Sequence, residues 1–470
     1  MTGPIYGQRS CARQWYDTLV QWLVQEQGFR PDLDPKLEPN PTPNPDPNPN
    51  HISSVGPNPD PNPNPNLDHP SPNPNPTLNP GHPISNSDSS PNPNPSHNPN
   101  PSLGPDPNFI RGENEPCVFI NPVTGMKVCL YVDDMLCRGN RTETDRFYAA
   151  MRQRFDTKEP QYVEPSLSML TPDNKLGFVG FDISCAVDSE TGGLKYNMDQ
   201  ADYVKELLSS YDVRPVKNIG SPMSDMSVIK SGDEPLSAVD ADEYRKIVGK
   251  LNYLVAATRY DIAYAVSQCS QFNACPTVGA HRALYRVLSY LLATSDLALC
   301  GFSATCNTVE YYSDADLGGA RPLTTCSHTG SMIMLNGVPV FWQSKRQPST
   351  SISSAQAVIY VMSETARQCL RYKYMTDDLV MELPSICKIM TDNMQAVRFS
   401  KALCVSSRLG GIFDLRCGWV KELRDEGAVA VEPVPAAANC ADFLTKPLPA
   451  YLFRRALKLV QLGGGYLGCR

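Results

Sequence analysis

The sequence predicts a mixed α+β and α/β chain, interrupted near its start by a long segment that cannot fold. Three observations carry this. Proline alternates with asparagine through most of residues 31–114. Apolar residues flank a pair of carboxylates, Asp133 and Asp134, in strand fashion. The last third runs as strands followed by alternating helix and strand, the order of a compact α/β domain.

Taken in order, residues 12–28 read as one amphipathic helix. Trp15, Leu19, Trp22 and Leu23 fall at helical spacing, and Gly28 supplies the stop. The proline–asparagine segment follows. Proline removes amide donors and fixes φ, and the apolar surface is too small to offset ordering entropy, so an extended, disordered insert is expected. A docking tract for proline-reading modules is the lesser alternative, because Asn at alternate positions is not the PxxP ligand pattern. After the insert, 117–120 and 126–136 read as a β-hairpin, 142–155 as a helix, 176–184 and 193–197 as a strand pair, and 200–210 as a helix. A connector at 215–239 leads to helices at 242–257, 262–272 and 281–294. Strands are expected at 309–313, 330–335, 339–343, 386–391 and 429–434, with helices at 354–370, 393–400 and 413–426 between and around them. The domain boundaries that follow are 1–30, 31–114, 115–215, 216–305, 306–450 and a C-terminal tail at 451–470.

The 470 residues suffice for two or three domains. The net charge of −7 misleads, because six acids and no Lys or Arg lie between Leu37 and Ile110; the rest is one charge from neutral. No global basic field for nucleic acid results. The sixteen cysteines include no CxxC pair and no zinc spacing. They read as reduced packing residues of an intracellular protein, cytoplasmic or nuclear, with no targeting signal. No apolar run approaches a membrane span, so no membrane partner is expected.

Adjacent carboxylates inside an apolar stretch are costly, since burial penalises charge and like charges repel. A turn that aims Asp133 and Asp134 at a divalent cation resolves both costs. A bare Asp-Asp pair is more often a solvated turn, but the apolar residues on both sides at 127–130 and 135–136 favour the metal reading.

With those flanks, Tyr131-Val132-Asp133-Asp134 resembles the polymerase motif of reverse transcriptases. Further strings resemble the back part of copia-type retrotransposon Pol polyproteins. They are Ile5-Tyr6-Gly7-Gln8 with Ala12-Arg13-Gln14-Trp15-Tyr16, then Phe178-Val179-Gly180-Phe181-Asp182-Ile183. Tyr244-Arg245-Lys246-Ile247-Val248-Gly249-Lys250-Leu251 and Thr258-Arg259-Tyr260-Asp261-Ile262-Ala263-Tyr264-Ala265-Val266 follow in the family's order. The resemblance implies a truncated reverse-transcriptase palm with a helical thumb or connection region, and a C-terminal ribonuclease H-like domain. It implies hydrolysis of the RNA strand of RNA–DNA hybrids by carboxylates holding Mg²⁺ or Mn²⁺, with metal ions roughly 3.5–4 Å apart. Asp314 in Tyr312-Ser313-Asp314-Ala315-Asp316, Asp392 in Thr391-Asp392-Asn393 and Asp442 in Ala441-Asp442-Phe443-Leu444-Thr445-Lys446 match its carboxylate positions. Asp133 and Asp134 match the polymerase pair. Each Asp alone reads equally as a cap or turn residue; Asp392 suits the cap of the helix that follows it. Lys345, Arg346 and Lys446 match basic positions that would contact phosphates of a hybrid or a single-stranded template, although short basic clusters are usually solvated faces.

Two departures bear on activity. The family carries a further polymerase Asp on a strand before the segment at Ile5, where this sequence begins, so template-directed DNA synthesis is not expected. The family's SSAEAEY string stands here as Ser353-Ser354-Ala355-Gln356-Ala357-Val358-Ile359, which puts Gln356 at the catalytic Glu. An amide keeps the shape and loses the charge that holds metal. Glu364, about two helical turns further on, is too distant to substitute. The expectation is a catalytically impaired polymerase and ribonuclease H fragment. The alternative is a non-enzymatic remnant with weak nucleic-acid binding. Oligomeric state is not legible.

Overall fold

The structure, a computed structural model, describes residues 109–164, 174–187, 192–226, 229, 233–302, 307–319, 324–401, 412–460 and 462–463. The helix expected at 12–28, the family strings before residue 109 and most of the proline–asparagine segment lie outside these residues. Among the described residues no disulfide is present and no helix is long and apolar enough to cross a membrane.

Three sheets organise the described chain, confirming a mixed α/β protein. The first is an antiparallel meander of β1 (Ile110–Arg111), β2 (Val118–Ile120), β3 (Lys127–Tyr131) and β4 (Asp134–Arg138). Its β1 corrects the expected end of the insert at 114. The Pro-Asn alternation stops before Phe109, which is buried, and Ile110 then pairs with Ile120. Helix α1 (Arg141–Arg154) starts at Asn140, whose side chain accepts the Thr142 N–H. It packs Phe147, Ala150 and Met151 on Phe119, Val128 and Leu130. The turn expected at Asp133 and Asp134 lies at Val132 and Asp133, with Tyr131 paired to Asp134, which opens β4.

The second sheet has the order β14-β8-β7-β6-β5, from β5 (Lys175–Phe178), β6 (Phe181–Val187), β7 (Leu194–Asp199), β8 (Ala298–Phe302) and β14 (Leu462–Gly463). The single strand expected at 176–184 is two strands. Val179 and Gly180 turn between them with φ of 50° and 78°, and the Tyr253 hydroxyl donates to the Val179 carbonyl at 2.9 Å. A β-branched residue at positive φ runs against turn preference, which is why alternation reads straight through this turn.

Four helices follow β7 in sequence: α2 (Ala201–Ser209), α3 (Ala238–Ala257), α4 (Ala263–Ser270) and α5 (Val278–Ala293). Ser237 and Thr277 cap α3 and α5 through their hydroxyls. Between α3 and α4 lies a buried ion pair. Arg259 donates to both carboxylate oxygens of Asp261 at 2.9 and 2.7 Å, and to the carbonyl and hydroxyl of Thr294.

The third sheet has the order β11-β10-β9-β12-β13. It comprises β9 (Val309–Asp316), β10 (His328–Leu335), β11 (Val338–Arg346), β12 (Cys387–Thr391) and β13 (Val429–Pro433). The first three are antiparallel, whereas β12 runs parallel to both β9 and β13. The sheet is covered on both faces. Tyr311 and Ile333 pack with α6 (Ser354–Asp378), α7 (Met394–Lys401) and α8 (Ile412–Asp425), while Tyr312, Met332 and Met334 join the core of α3, α4 and α5. Strand β10 is therefore buried along nearly its whole length and shows no polar–apolar alternation, with His328, Thr329 and Ser331 buried beside Met332, Ile333 and Met334. The core continues across the boundary expected between 305 and 306. Trp342 of β11 donates its indole N–H to the Val255 carbonyl at 2.7 Å and lies 4.9 Å from the ring of Tyr260.

The tail expected from 451 is a correction too. Helix α9 (Ala450–Leu459) buries Phe453, Ala456 and Leu457, an i, i+3, i+4 stripe, and β14 then pairs with β8. The first sheet is fastened to the end of α6. Asp378 accepts the backbone N–H groups of Glu113, Asn114 and Glu115 at 3.2, 2.8 and 2.6 Å, and Lys127 donates to the Leu379 carbonyl.

Candidate metal centre

Three carboxylates from separate parts of the third sheet converge. Asp314 is on β9, the central strand. Strand β12 runs parallel beside it, so the chain leaves β12 at the end where Asp314 lies, and Asp392 is the next residue. Asp392 does not cap α7. Asn393 does that, its side-chain oxygen accepting the N–H groups of Gln395 and Ala396. The cap reading of Asp392 therefore fails, and its carboxylate is left to the cluster. Asp442 arrives on a single 3-10 turn, Asp442–Leu444, after β13. One ligand oxygen from each of the three lies within 4.8 Å of the others.

The turn bearing Asp442 lies against β10 at Gly330, which pairs with Asp314. A Cβ at Gly330 would stand 2.6 Å from Thr445 Cγ2 and 2.8 Å from the Ala441 carbonyl oxygen. Backbone cannot yield as a flexible side chain does, so Gly330→Ala must lift the turn. A loss of about 1–3 kcal/mol in urea unfolding is expected, the usual cost of overpacking. A loss below about 0.5 kcal/mol would show that the turn adjusts freely.

Neighbours hold the acids in place. Thr445 donates its hydroxyl to Asp314 Oδ2. Asn439 donates to the Ser313 carbonyl at 3.2 Å and to Asp392 Oδ1 at 3.5 Å. Lys446 pairs with Asp442, and its ammonium is 4.0 Å from Asp314 Oδ2. Burial, the largest influence, pushes the Asp314 carboxyl up to about 6; Lys446 and the Thr445 hydroxyl oppose this, and the Asp442 and Asp392 charges add to it. Burial works against the Lys446 charge, but Asp314 and Asp442 hold the ammonium above its ordinary value. Asp316, on the same strand, is also raised by burial, against the influence of Lys446 and the Gly319 N–H.

The donor set is all oxygen, clustered and anionic, which fits one hard divalent cation such as Mg²⁺ or Mn²⁺. The fourth expected position fits less well. Gln356 sits in the first turn of α6, where its side-chain oxygen accepts the Ile352 N–H at 2.7 Å and its own N–H donates to Ser353. Ser353 is the N-cap, and Gln356 folds its side chain back over the helix start in the manner of a capping box. Glu364 is committed elsewhere, to Arg367 at 2.7 Å, Arg416 at 3.4 Å and Lys345 at 3.6 Å.

Asp133 and Asp134 lie apart from this cluster, exposed at the β3–β4 turn. Val132 opens that turn at φ 54° and is 56% exposed, a strained and solvated conformation for a β-branched residue. Of the three basic residues, Lys345 is tied to Glu364, Lys446 to the acidic cluster, and Arg346 is exposed at the end of β11. Sequence reasoning missed Gly330, Asn439, Thr445 and Asp316. The Gly330 signal was present, a lone glycine inside a strand, which marks close backbone approach.

No protein-family model matches the chain. It is 25% identical over 361 residues to the retrovirus-related Pol polyprotein from transposon TNT 1-94 of Nicotiana tabacum, covering 75% of this chain and 26% of that one. It is 29% identical over 328 residues to the corresponding polyprotein from transposon RE2 of Arabidopsis thaliana, covering 69% and 21%. The transposon Ty1-JR1 Gag-Pol polyprotein of Saccharomyces cerevisiae is 22% identical over 361 residues, covering 72% and 19%. The chain thus spans about a quarter or less of the length of these relatives. Among solved structures, the N-terminal RNase H domain of rv2228c from Mycobacterium tuberculosis matches 29% of this chain and 95% of its own at 12% identity and a TM-score of 0.23. LC11-RNase H1, isolated from compost, matches 30% and 94% at 16% identity and a TM-score of 0.23. The sequence matches extend over 69–75% of the chain, and the homologues are copia-type retrotransposon Pol polyproteins.

Proposed function

We propose that this chain is a retrotransposon-derived reverse transcriptase and ribonuclease H region whose third sheet forms a ribonuclease H-like domain directed at the RNA strand of an RNA–DNA hybrid. The observation that carries the reading is the convergence of Asp314, Asp392 and Asp442 from three separate elements. A bound Mg²⁺ or Mn²⁺ would supply an activated water and charge for the leaving oxygen. Asp314, Asp392 and Asp442 would hold it, and Thr445 and Asn439 fix the directions of two of those carboxylates. Lys446 balances part of their charge, which allows three acids to close in. The sheet bearing Asp133 and Asp134 corresponds, on this reading, to a polymerase palm. Arg346 and the cations around the cluster would meet phosphates of the hybrid or of a single-stranded template, and the strength of binding should fall with salt.

Gln356 supports an impaired enzyme. An amide occupied in capping gives no anionic ligand for a second ion, so the chain is expected to hold one ion and to cleave slowly. The test is cleavage of a labelled RNA–DNA hybrid in Mg²⁺ and in Mn²⁺ by the full chain and by Asp314→Asn. Slow cleavage lost in the variant supports the reading; hybrid binding without cleavage in either metal would favour the non-enzymatic remnant.

Asp314→Asn should also separate metal from fold. In chelator the variant is expected to be more stable than the wild type by roughly 1–2 kcal/mol, because it removes one buried charge from a cluster of like charges. Added Mn²⁺ should then raise the melting temperature of the wild type alone. Equal stabilisation of both chains by Mn²⁺ would place the ion elsewhere.

A further inference from the structure

A chain of buried polar groups runs from the helical layer to the turn that carries Asp442, and no step of the proposed chemistry uses it. Gln268 on α4 is 2% exposed and His328 at the start of β10 is 5% exposed. The Gln268 side-chain oxygen accepts from Gln271 at 2.8 Å, which leaves its amide nitrogen to donate to His328 Nδ1 at 3.2 Å. With Nδ1 accepting, the imidazole proton is on Nε2, and Nε2 donates to the Ser344 hydroxyl at 2.9 Å. The Ser344 hydroxyl is therefore turned to donate to the Leu444 carbonyl at 2.7 Å. Tyr264 packs edge-on against the imidazole at 5.1 Å and fixes its plane.

The end point of the relay matters. Leu444 lies between Asp442 and Thr445. Ser344, Gly330 and Asp314 form one row across β11, β10 and β9. The turn lies over this row, tied at one end by Ser344 to the Leu444 carbonyl and at the other by the Thr445 hydroxyl to Asp314, with Gly330 leaving room beneath. A turn of three residues has little stiffness of its own. The buried side chains of Phe443 and Leu444 seat it in the core, and these two ties fix its backbone over the row.

We propose that Gln268, His328 and Ser344 are positioning residues, a buried relay through which helix α4 fixes the turn bearing Asp442 against the carboxylate row. The link to metal binding rests on the reading given under Proposed function; the tether itself does not. His328 works as a neutral donor with a defined tautomer. Two substitutions separate the roles of its nitrogens. His328→Gln places an amide nitrogen near the position of Nε2 and keeps the donor to Ser344. His328→Asn places its amide near Nδ1 and loses that donor.

Hydrogen exchange at the amides of residues 441–446 reads the tether in the full chain without metal. Ser344→Ala and His328→Asn are expected to speed exchange there about tenfold, the equivalent of one lost hydrogen bond, with α3 unchanged. His328→Gln should stay within about twofold of wild type. The ¹⁵N shifts of His328 should report the Nε2–H imidazole. A Mn²⁺ titration of the same proteins should show a dissociation constant that rises in step with exchange. Ser344→Ala without faster exchange overturns the proposal, as do His328→Gln and His328→Asn with equal effects, or an Nδ1–H tautomer. Should exchange respond as expected while Asp314→Asn leaves Mn²⁺ affinity unchanged, the tether stands and the metal reading falls.

Discussion

Gln356→Glu is expected to raise cleavage of an RNA–DNA hybrid by about a hundredfold or more over the wild-type chain, because groups that act as a unit lose most of their effect when one is missing. The first turn of α6 lies over the right strands. Gln347 donates both to Thr329 on β10 and to the Ala357 carbonyl, and Thr329 pairs with Ala315 beside Asp314. The fold should survive the change. A carboxylate at this position still accepts the Ile352 N–H, and the start of a helix favours negative charge. Its second oxygen is then free to join the acidic cluster. Asp314→Asn in the Gln356→Glu background is the dead control. Two results count against the argument. One is a wild type that already cleaves as fast as the Glu variant. The other is a folded Glu variant that gains nothing, meaning that the cap holds both oxygens or that damage lies elsewhere.

The acidic triad was legible in the sequence because three separate strings stood in one order, not because of any spacing among the acids. What surrounds the triad was not legible. Thr445 and Asn439 are ordinary polar residues in a loop, and their value arises only when the turn after β13 closes onto β9. Arg259 and Asp261 stood inside a recognised string, yet charged residues are normally exposed, and nothing local marks this pair as buried. Elements were found where period and punctuation agreed, as in α3 and α5. They were missed where punctuation failed, as at Val179, a β-branched residue at positive φ. Helix α9 was missed for a different reason. Its stripe of Phe453, Ala456 and Leu457 was present, but the segment followed the last recognised string and was read as a tail.

Arg259→Ala is expected to destabilise the chain by about 3–5 kcal/mol in urea unfolding, the usual cost of stranding one partner of a buried ion pair. The side chains of Arg259 and Asp261 are 1% and 0% exposed, so water cannot replace what is lost. Burial opposes the Arg259 charge, and the carboxylate of Asp261 more than compensates, holding the guanidinium above its ordinary value. Arg259→Lys should cost less, about 1–3 kcal/mol, because the charge remains while the fork that reaches both Asp261 and Thr294 does not. Replacing both partners with apolar residues of similar volume should cost less than the two single losses added together, since neither charge is then stranded. The effect should reach the metal centre. Tyr260 lies between the two charged residues, donates to the Val460 carbonyl, and packs against Trp342 and Phe443, and Phe443 is next to Asp442. Partial loss of the pair, as in Arg259→Lys, is therefore expected to weaken Mn²⁺ binding several-fold at a temperature where the variant is still folded. Unchanged Mn²⁺ affinity in that variant would show that the helical layer supports the fold without setting the site.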